Sequence, residues 1–289
     1  MDSPAVPPPD CAGPRGREDG IDAVVLAGGP PSHALTGSAL PKAFADVGGV
    51  TMVERVLAAL RATPQIRRIA LVGPVSLPPA AAAAATLAVP AGGDLFENLS
   101  AGLAALAPLG QDAPRDNAPV LVAAADVPLL TSAAVAAFLG AALAAEADAA
   151  YAIVPREEVS RVAPGLRKTF VRVADGEFTG GSLVLLRPGA FARARPVIER
   201  AVRARKRPWE LARLFGLAAL VGLATGRLRI AALERRAEAL AGVRARAIVC
   251  RDAGVALDVD TAEMLEFVRS RLGSAHAGGG AAAAGRGAP

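Results

Sequence analysis

A chain of 289 residues, 53% of them hydrophobic, is long enough to bury a sizeable core and fits one large α/β domain with tails or a domain plus a small appendage. Aromatic residues make up only 3%, which argues against an aromatic-lined sugar or single-stranded nucleic-acid groove. The net charge of +5 comes from interspersed Arg and Asp/Glu with one dense basic run at residues 203–207. That pattern fits mild attraction for phosphorylated small molecules and no nucleic-acid partner.

Cys11 and Cys250 cannot form a disulfide framework, and His33 and His276, the only histidines, leave no zinc cluster to assemble. The first twenty residues carry Pro, Gly and charge but no apolar h-region, so no signal peptide is expected. The longest apolar stretch, residues 214–225, is about half of what spans a bilayer. A soluble, cytoplasmic protein is the expectation.

Residues 1–19, with Pro7, Pro8 and Pro9, and residues 273–289 are low-complexity. Neither can bury enough apolar area to offset the entropy of ordering it, so both are expected as disordered tails. Between them, residues 20–272 alternate strand-like and helix-like patterns. The apolar run Ile21–Leu26 reads as a buried parallel strand ending in a tight loop, Ala27-Gly28-Gly29. After Lys42, the stretch AFADVGG reads as a short strand with a glycine turn. Thr51 caps a helix whose Met52, Val53, Val56, Leu57 and Leu60 recur with helical period. Strands follow at residues 68–72 and 86–89, separated by a Pro-bounded alanine helix.

Asp94 caps the next helix, and a Pro- and Asp-rich linker leads to a strand, Val120–Ala124, that runs into Asp126-Val127-Pro128. Thr131 or Ser132 caps another helix. Strands are expected at residues 149–154, near 168–173 and at 182–186, with a turn at Asp175-Gly176. Residues 188–240 read as three helices inside a helical insertion, 188–243, and residues 244–251 as a strand. Leu257-Asp258-Val259-Asp260 then leads into a helix from Thr261. Strands alternating with helices imply a doubly wound, mostly parallel α/β sheet with ligands at the carboxyl ends of its strands.

Chemistry concentrates at those ends. Two glycines after a buried strand let main-chain N–H groups approach an anion, although Ala27-Gly28-Gly29 is neither a Walker loop nor a dinucleotide fingerprint. Lys42 follows. The chain has only Lys42, Lys168 and Lys206 among 32 basic residues, so a lysine closing the glycine loop stands out against an arginine background. A compact ammonium suits a phosphate bridge as a point charge. Asp126, past the end of a central strand, faces the crevice where a carboxylate can hold Mg²⁺.

Leu26-Ala27-Gly28-Gly29, Leu40-Pro41-Lys42 and Gly48-Gly49-Val50-Thr51-Met52-Val53 together resemble the opening of the MobA-like NTP transferase superfamily. The likeness covers roughly residues 21–190 and 244–272. It is closest to a branch with Gly180-Gly181-Ser182 and a basic stretch ending Arg205-Lys206-Arg207-Pro208-Trp209. The resemblance implies a GT-A-type, nucleotide-diphospho-sugar transferase-like fold. The implied activity is an Mg²⁺-dependent transfer of NMP from an NTP donor, GTP or CTP, to a small phosphorylated acceptor, as in molybdopterin guanylyltransferases. It gives catalytic roles to Lys42 and Asp126, and nucleotide contacts to Leu26, Ala27, Gly28, Gly29, Lys42, Gly92 and Gly93. It gives the metal to Asp126 and Asp260, and the acceptor to Lys168, Gly181 and Ser182.

Asp258 is the alternative to Asp260, because the two carboxylates would alternate on a strand and Asp260 could instead cap the last helix. One departure weighs against full activity. Relatives carry an arginine in the loop after the paired glycines, whereas residues 30–41 hold neither Arg nor Lys. The alternative reading is therefore an inactive nucleotide-binding protein with the same fold. A nucleotide-sugar glycosyltransferase is disfavoured by the single Asp at position 126. The apolar middle of the insertion is expected to be covered by the parent domain or a second copy, with a greasy acceptor lid or a membrane-surface patch as the sharper alternative.

Overall fold

A computed structural model describes residues 20–107, 117–204 and 216–281. The expected tail at residues 1–19 and the basic stretch at 205–207 lie outside the described residues. The eight strands among the described residues join one sheet: β1 (Ile21–Leu26), β2 (Ile66–Gly73), β3 (Leu87–Pro90), β4 (Val120–Ala124), β5 (Ala149–Pro155), β6 (Val171–Val173), β7 (Gly176–Leu186) and β8 (Ala245–Val249). Their order is β3-β2-β1-β4-β7-β5-β8, with β6 on the free part of β7. The left half, β3 to β4, is wholly parallel, in register Ala70↔Val24↔Val122. β7 runs against β4, β5 and β6, while β5 and β8 are parallel. The sheet is thus mixed and mostly parallel, so the carboxyl ends of β1, β4, β5 and β8 open on one side.

The helices are α1 (His33–Thr36), α2 (Met52–Arg61), α3 (Pro79–Ala84), α4 (Leu95–Leu106), α5 (Ser132–Ala144), α6 (Arg156–Val162), α7 (Pro188–Ala204), α8 (Leu217–Ala224), α9 (Ile230–Ala241) and α10 (Ala262–Ala281). Strand alternation sorts them onto two faces. Ala23 and Val25 of β1 join the larger core with α2, α5 and α10, through Leu57, Phe138 and Leu265. Val24, between them, points the other way, into the smaller core with Leu99 of α4 and Phe191 of α7.

Helix starts follow local chemistry. Thr51 and Glu54 form a reciprocal capping box on α2, as Asp94 and Glu97 do on α4, and Thr131 rather than Ser132 caps α5. Three local expectations change. AFADVGG does not open as a strand: Lys42–Phe44 is a 3₁₀ turn that buries both Ala43 and Phe44, and only the isolated bridge Asp46↔Thr51 follows it. The strand expected from residue 168 begins only at Val171. Gly180-Gly181-Ser182 lies within β7, not before it.

α10 continues past Gly273 to Ala281. Among its described residues the expected helical insertion holds α7, α8 and α9; residues 205–215 of it lie outside the described residues. Val221, on apolar α8, is 54% exposed. No helix among the described residues is long and apolar enough to cross a membrane.

Candidate active site

The ladder of β1 continues one residue beyond its end on each side. Ala27 N–H donates to Val72 O at 2.8 Å, and Ala125 N–H donates to Leu26 O at 3.2 Å. Gly28 and Asp126 therefore emerge side by side from adjacent parallel strands. An added Cβ on Gly28 would lie 2.6 Å from Ala91 Cβ and 3.2 Å from the Asn98 amide nitrogen. Only glycine allows this approach of the first loop to the loop after β3. Asn98, buried on α4, accepts from Gly92 N–H at 2.9 Å and so links the two glycine loops. Gly93 has φ +87°, and a Cβ there would strike the Glu97 carboxylate that completes the Asp94 cap.

Lys42 arrives from the first loop. Residues 31–41 are zipped by a Pro31↔Pro41 bridge and by Ser32 N–H donating to Leu40 O at 2.9 Å. The 3₁₀ turn then buries Ala43 and Phe44 and leaves the Lys42 stem projecting towards β4. Its ammonium meets Asp126 Oδ2 at 2.6 Å and pairs also with Asp260 Oδ1.

Asp260 is brought there by the chain's return after β8. A second 3₁₀ turn, Ala253–Val255, packs against the loop after β4, where Gly254 leaves no room for a Cβ beside Leu129 O. Thr131 Oγ1 donates to Asp252 at 3.1 Å, and Val259 N–H donates to Asp126 O at 2.9 Å. Residues 257–260 are not a strand, yet Leu257 and Val259 are buried while Asp258 and Asp260 both face outward, as positions two apart on an extended chain do, so the expected split of the two carboxylates onto opposite sides does not occur. Both reach lysines: Asp260 pairs with Lys42, and Asp258 with Lys168. The helix cap is Thr261, whose Oγ1 accepts from Met264 N–H at 3.2 Å, which leaves Asp260 free of that role.

Burial works against charge on Lys42, but Asp126 and Asp260 outweigh it and raise the ammonium above its ordinary range. The hydrogen bond from Lys42 in turn lowers the Asp260 carboxyl, against a smaller opposing effect of burial. Asp126 Oδ1 is buried and has no hydrogen-bond partner. Among the described residues no three His, Cys, Asp or Glu side chains converge on one point. Mg²⁺ does not need three, since it takes one or two carboxylates and completes its shell with water and substrate phosphates. Two aspartates facing a common cation, with one buried oxygen unspent, fit that donor set.

Beyond Asp260, Lys168 and Asp258 extend the row of charges towards β5 and β7. There the sequence had singled out Gly181 and Ser182. Gly181 faces the larger core, where a Cβ would lie 2.8 Å from Val255 Cγ1 and 2.9 Å from Ala152 Cβ. Gly180 faces the other way, and its Cβ position falls 2.1 Å from the Tyr151 hydroxyl. Tyr151, next to Gly180 and close to Asp258, was not anticipated from the sequence. Burial and the neighbouring Asp258 both raise its phenol above the ordinary range. Its only sequence signal is that it is the chain's sole tyrosine.

A mixed, mostly parallel sheet in this strand order, with glycine loops, a lysine and carboxylates at its carboxyl ends, is an α/β arrangement of GT-A-like fold. The MobA-like NTP transferase domain model matches residues 23–214, and the chain belongs to that family. A hypothetical transferase from Thermus thermophilus is 39% identical, with TM-score 0.74 over 85% of this chain and 99% of its own. A 4-diphosphocytidyl-2C-methyl-D-erythritol synthase is similar in fold, at 20% identity and TM-score 0.52 over 88% of this chain and 99% of its own. No curated protein matches the chain.

Proposed function

We propose that this protein is a cytoplasmic, Mg²⁺-dependent nucleotidyltransferase that moves NMP from GTP or CTP to a small phosphorylated acceptor, with release of pyrophosphate. The observation that carries the reading is the meeting of Lys42, Asp126 and Asp260 beside the Gly28-Gly29 loop. In-line attack by an acceptor phosphate oxygen forms the new bond to the α-phosphorus. The bond from that phosphorus to the α,β-bridging oxygen breaks, and pyrophosphate leaves with the electron pair. A phosphate acceptor is ionised near neutral pH, so the protein's task is alignment and charge neutralisation, not proton removal.

Asp126 and Asp260 would hold the metal, which when bound polarises the α-phosphate. The Gly28 and Gly29 amides and Lys42 receive the β- and γ-phosphates, with Leu26 and Ala27 flanking them. The Gly92-Gly93 main chain, set by Asn98, offers its groups to the base edge. Lys168 and Ser182, beside Gly181, face the acceptor side.

A second reading is favoured by one observation, the lack of any Arg or Lys in residues 30–41. It is a nucleotide-binding protein with the same fold and no transfer activity. Assaying pyrophosphate release over all four NTPs, with phosphorylated acceptors and with or without Mg²⁺, separates the two. Release confined to one NTP and dependent on Mg²⁺ is expected. Tight NTP binding with no release under any combination would favour the inactive protein.

A further inference from the structure

The ammonium of Lys42 stands where the proposed reaction needs a metal. It lies 2.6 Å from Asp126 Oδ2 and against Asp260 Oδ1. Mg²⁺ holds carboxylate oxygens at about 2.0–2.1 Å, so a metal on these two oxygens would touch the ammonium, like charge against like. We infer that Lys42 is a resident counter-cation, and that a divalent metal enters between Asp126 and Asp260 only as nucleotide phosphates draw the ammonium away. This rests on the nucleotidyltransferase reading and adds an order of events to it.

Three features make the exchange workable. The Lys42 backbone is fixed by the 3₁₀ turn through buried Ala43 and Phe44, so only the four-carbon stem has to move. The stem is free to do so, because the Lys42 side chain is 35% exposed and Asp260 is 63% exposed. A lysine ammonium is a compact point charge that exchanges one oxygen partner for another, where an arginine fork would hold a carboxylate bidentately. Asp126 Oδ1, buried and without a hydrogen-bond partner, is a second oxygen that this carboxylate would offer a metal once the ammonium has moved. The triphosphate supplies what the exchange requires, namely anionic oxygens for Lys42 and further ligands for the metal.

Binding of metal and of nucleotide is then coupled through one side chain, and the coupling is reciprocal. Titration with Mn²⁺ followed by electron paramagnetic resonance reads it without any turnover. Mn²⁺ alone should bind the wild type weakly, and Mn²⁺ with a non-hydrolysable NTP should bind well. Lys42→Met should bind Mn²⁺ alone at least about tenfold more tightly than the wild type, because the competing cation is gone. Lys42→Gln, which keeps a neutral hydrogen bond to the carboxylates, guards against a misfolded Met variant and should behave alike. Asp126→Asn in the Lys42→Met background should remove that binding.

Equal affinity of the wild type and both variants for Mn²⁺ alone, with normal uptake of Mn²⁺ and NTP together, overturns the exchange and spares the transferase reading. Persistence of Mn²⁺ binding after Asp126→Asn also overturns it. NTP bound by the wild type with no Mn²⁺ taken up sinks the metal-dependent reading itself, and the exchange with it.

Discussion

Two charged clusters sit at opposite ends of the same central strand, and they are built differently. At the amino end of β1, Asp22 accepts from Arg67 at 3.0 and 2.8 Å and from Arg68 at 3.2 and 2.6 Å, so both oxygens carry two donors. Arg68 also reaches Leu106 O at 2.6 Å. At the carboxyl end, Asp126 has one oxygen on Lys42 and one with no partner, and the cations are lysines. The rear cluster is saturated and forked; the front one is unsaturated and point-like. A carboxylate with every lone pair used is a staple, whereas one with a buried lone pair to spare is a site.

The largest expected effect comes from emptying the front. Lys42→Ala should lower turnover by about a hundredfold or more, because it removes charge stabilisation that grows in the transition state. The fold should survive, since the Lys42 side chain is 35% exposed and the turn that carries it is held by buried Ala43 and Phe44. Turnover near that of the wild type would make the front cluster structural like the rear one.

Breaking the rear cluster should do the reverse. Asp22→Asn removes the charge and one of the two acceptor oxygens between two part-buried guanidinium groups and should cost about 2 kcal/mol of stability. Turnover per folded molecule should be unchanged. Its pH dependence sharpens the contrast. Burial alone would raise the Asp22 carboxyl, but Arg68 and Arg67 more than offset it and hold it below the ordinary range. A carboxyl lowered in the folded state contributes its full stability above the unfolded value, about 3.9, and loses it as pH falls through the folded value. The difference in melting temperature between wild type and Asp22→Asn should therefore be constant from about pH 7 to 5 and close below about pH 4. A gap that persists in acid would mean that packing, not charge, sets the cost.

Much of the front could be read from the chain alone, because its signals are local. The run of β1 into Gly28-Gly29, the Thr51 and Asp94 caps, and the scarcity of lysine around Lys42 are all properties of neighbouring residues. What escaped depends on partners distant in sequence. Whether Phe44 is buried decides between a 3₁₀ turn and a strand, and its neighbour there is Gly73. Asp258 and Asp260, two apart, share a side by simple alternation, but that side meets the lysines only because Val259 N–H ties residues 257–260 to Asp126 O, a partner far away in sequence. Short α6, squeezed between β5 and β6, has too few residues for a period to show. The rear cluster left no trace at all, since Asp22 and Arg67-Arg68 are ordinary charges until β1 and β2 pair in parallel.

The smallest effect tests whether the arginine fork matters at the rear as the lysine point charge does at the front. Arg67→Lys keeps the charge beside Asp22 but replaces two donors, at 3.0 and 2.8 Å, with a single ammonium. Arg68 keeps its own two bonds to the carboxylate and its anchor on Leu106 O. Asp22 therefore stays paired, and what is lost is one hydrogen bond and the preorganisation of the fork. A cost below about 1 kcal/mol, with turnover unchanged, is expected from a single such loss. Thermal melts of Arg67→Lys beside Asp22→Asn measure it directly. If the lysine variant falls as far as the aspartate variant, the fork itself holds β1 to β2, and geometry outweighs charge at this end of the sheet.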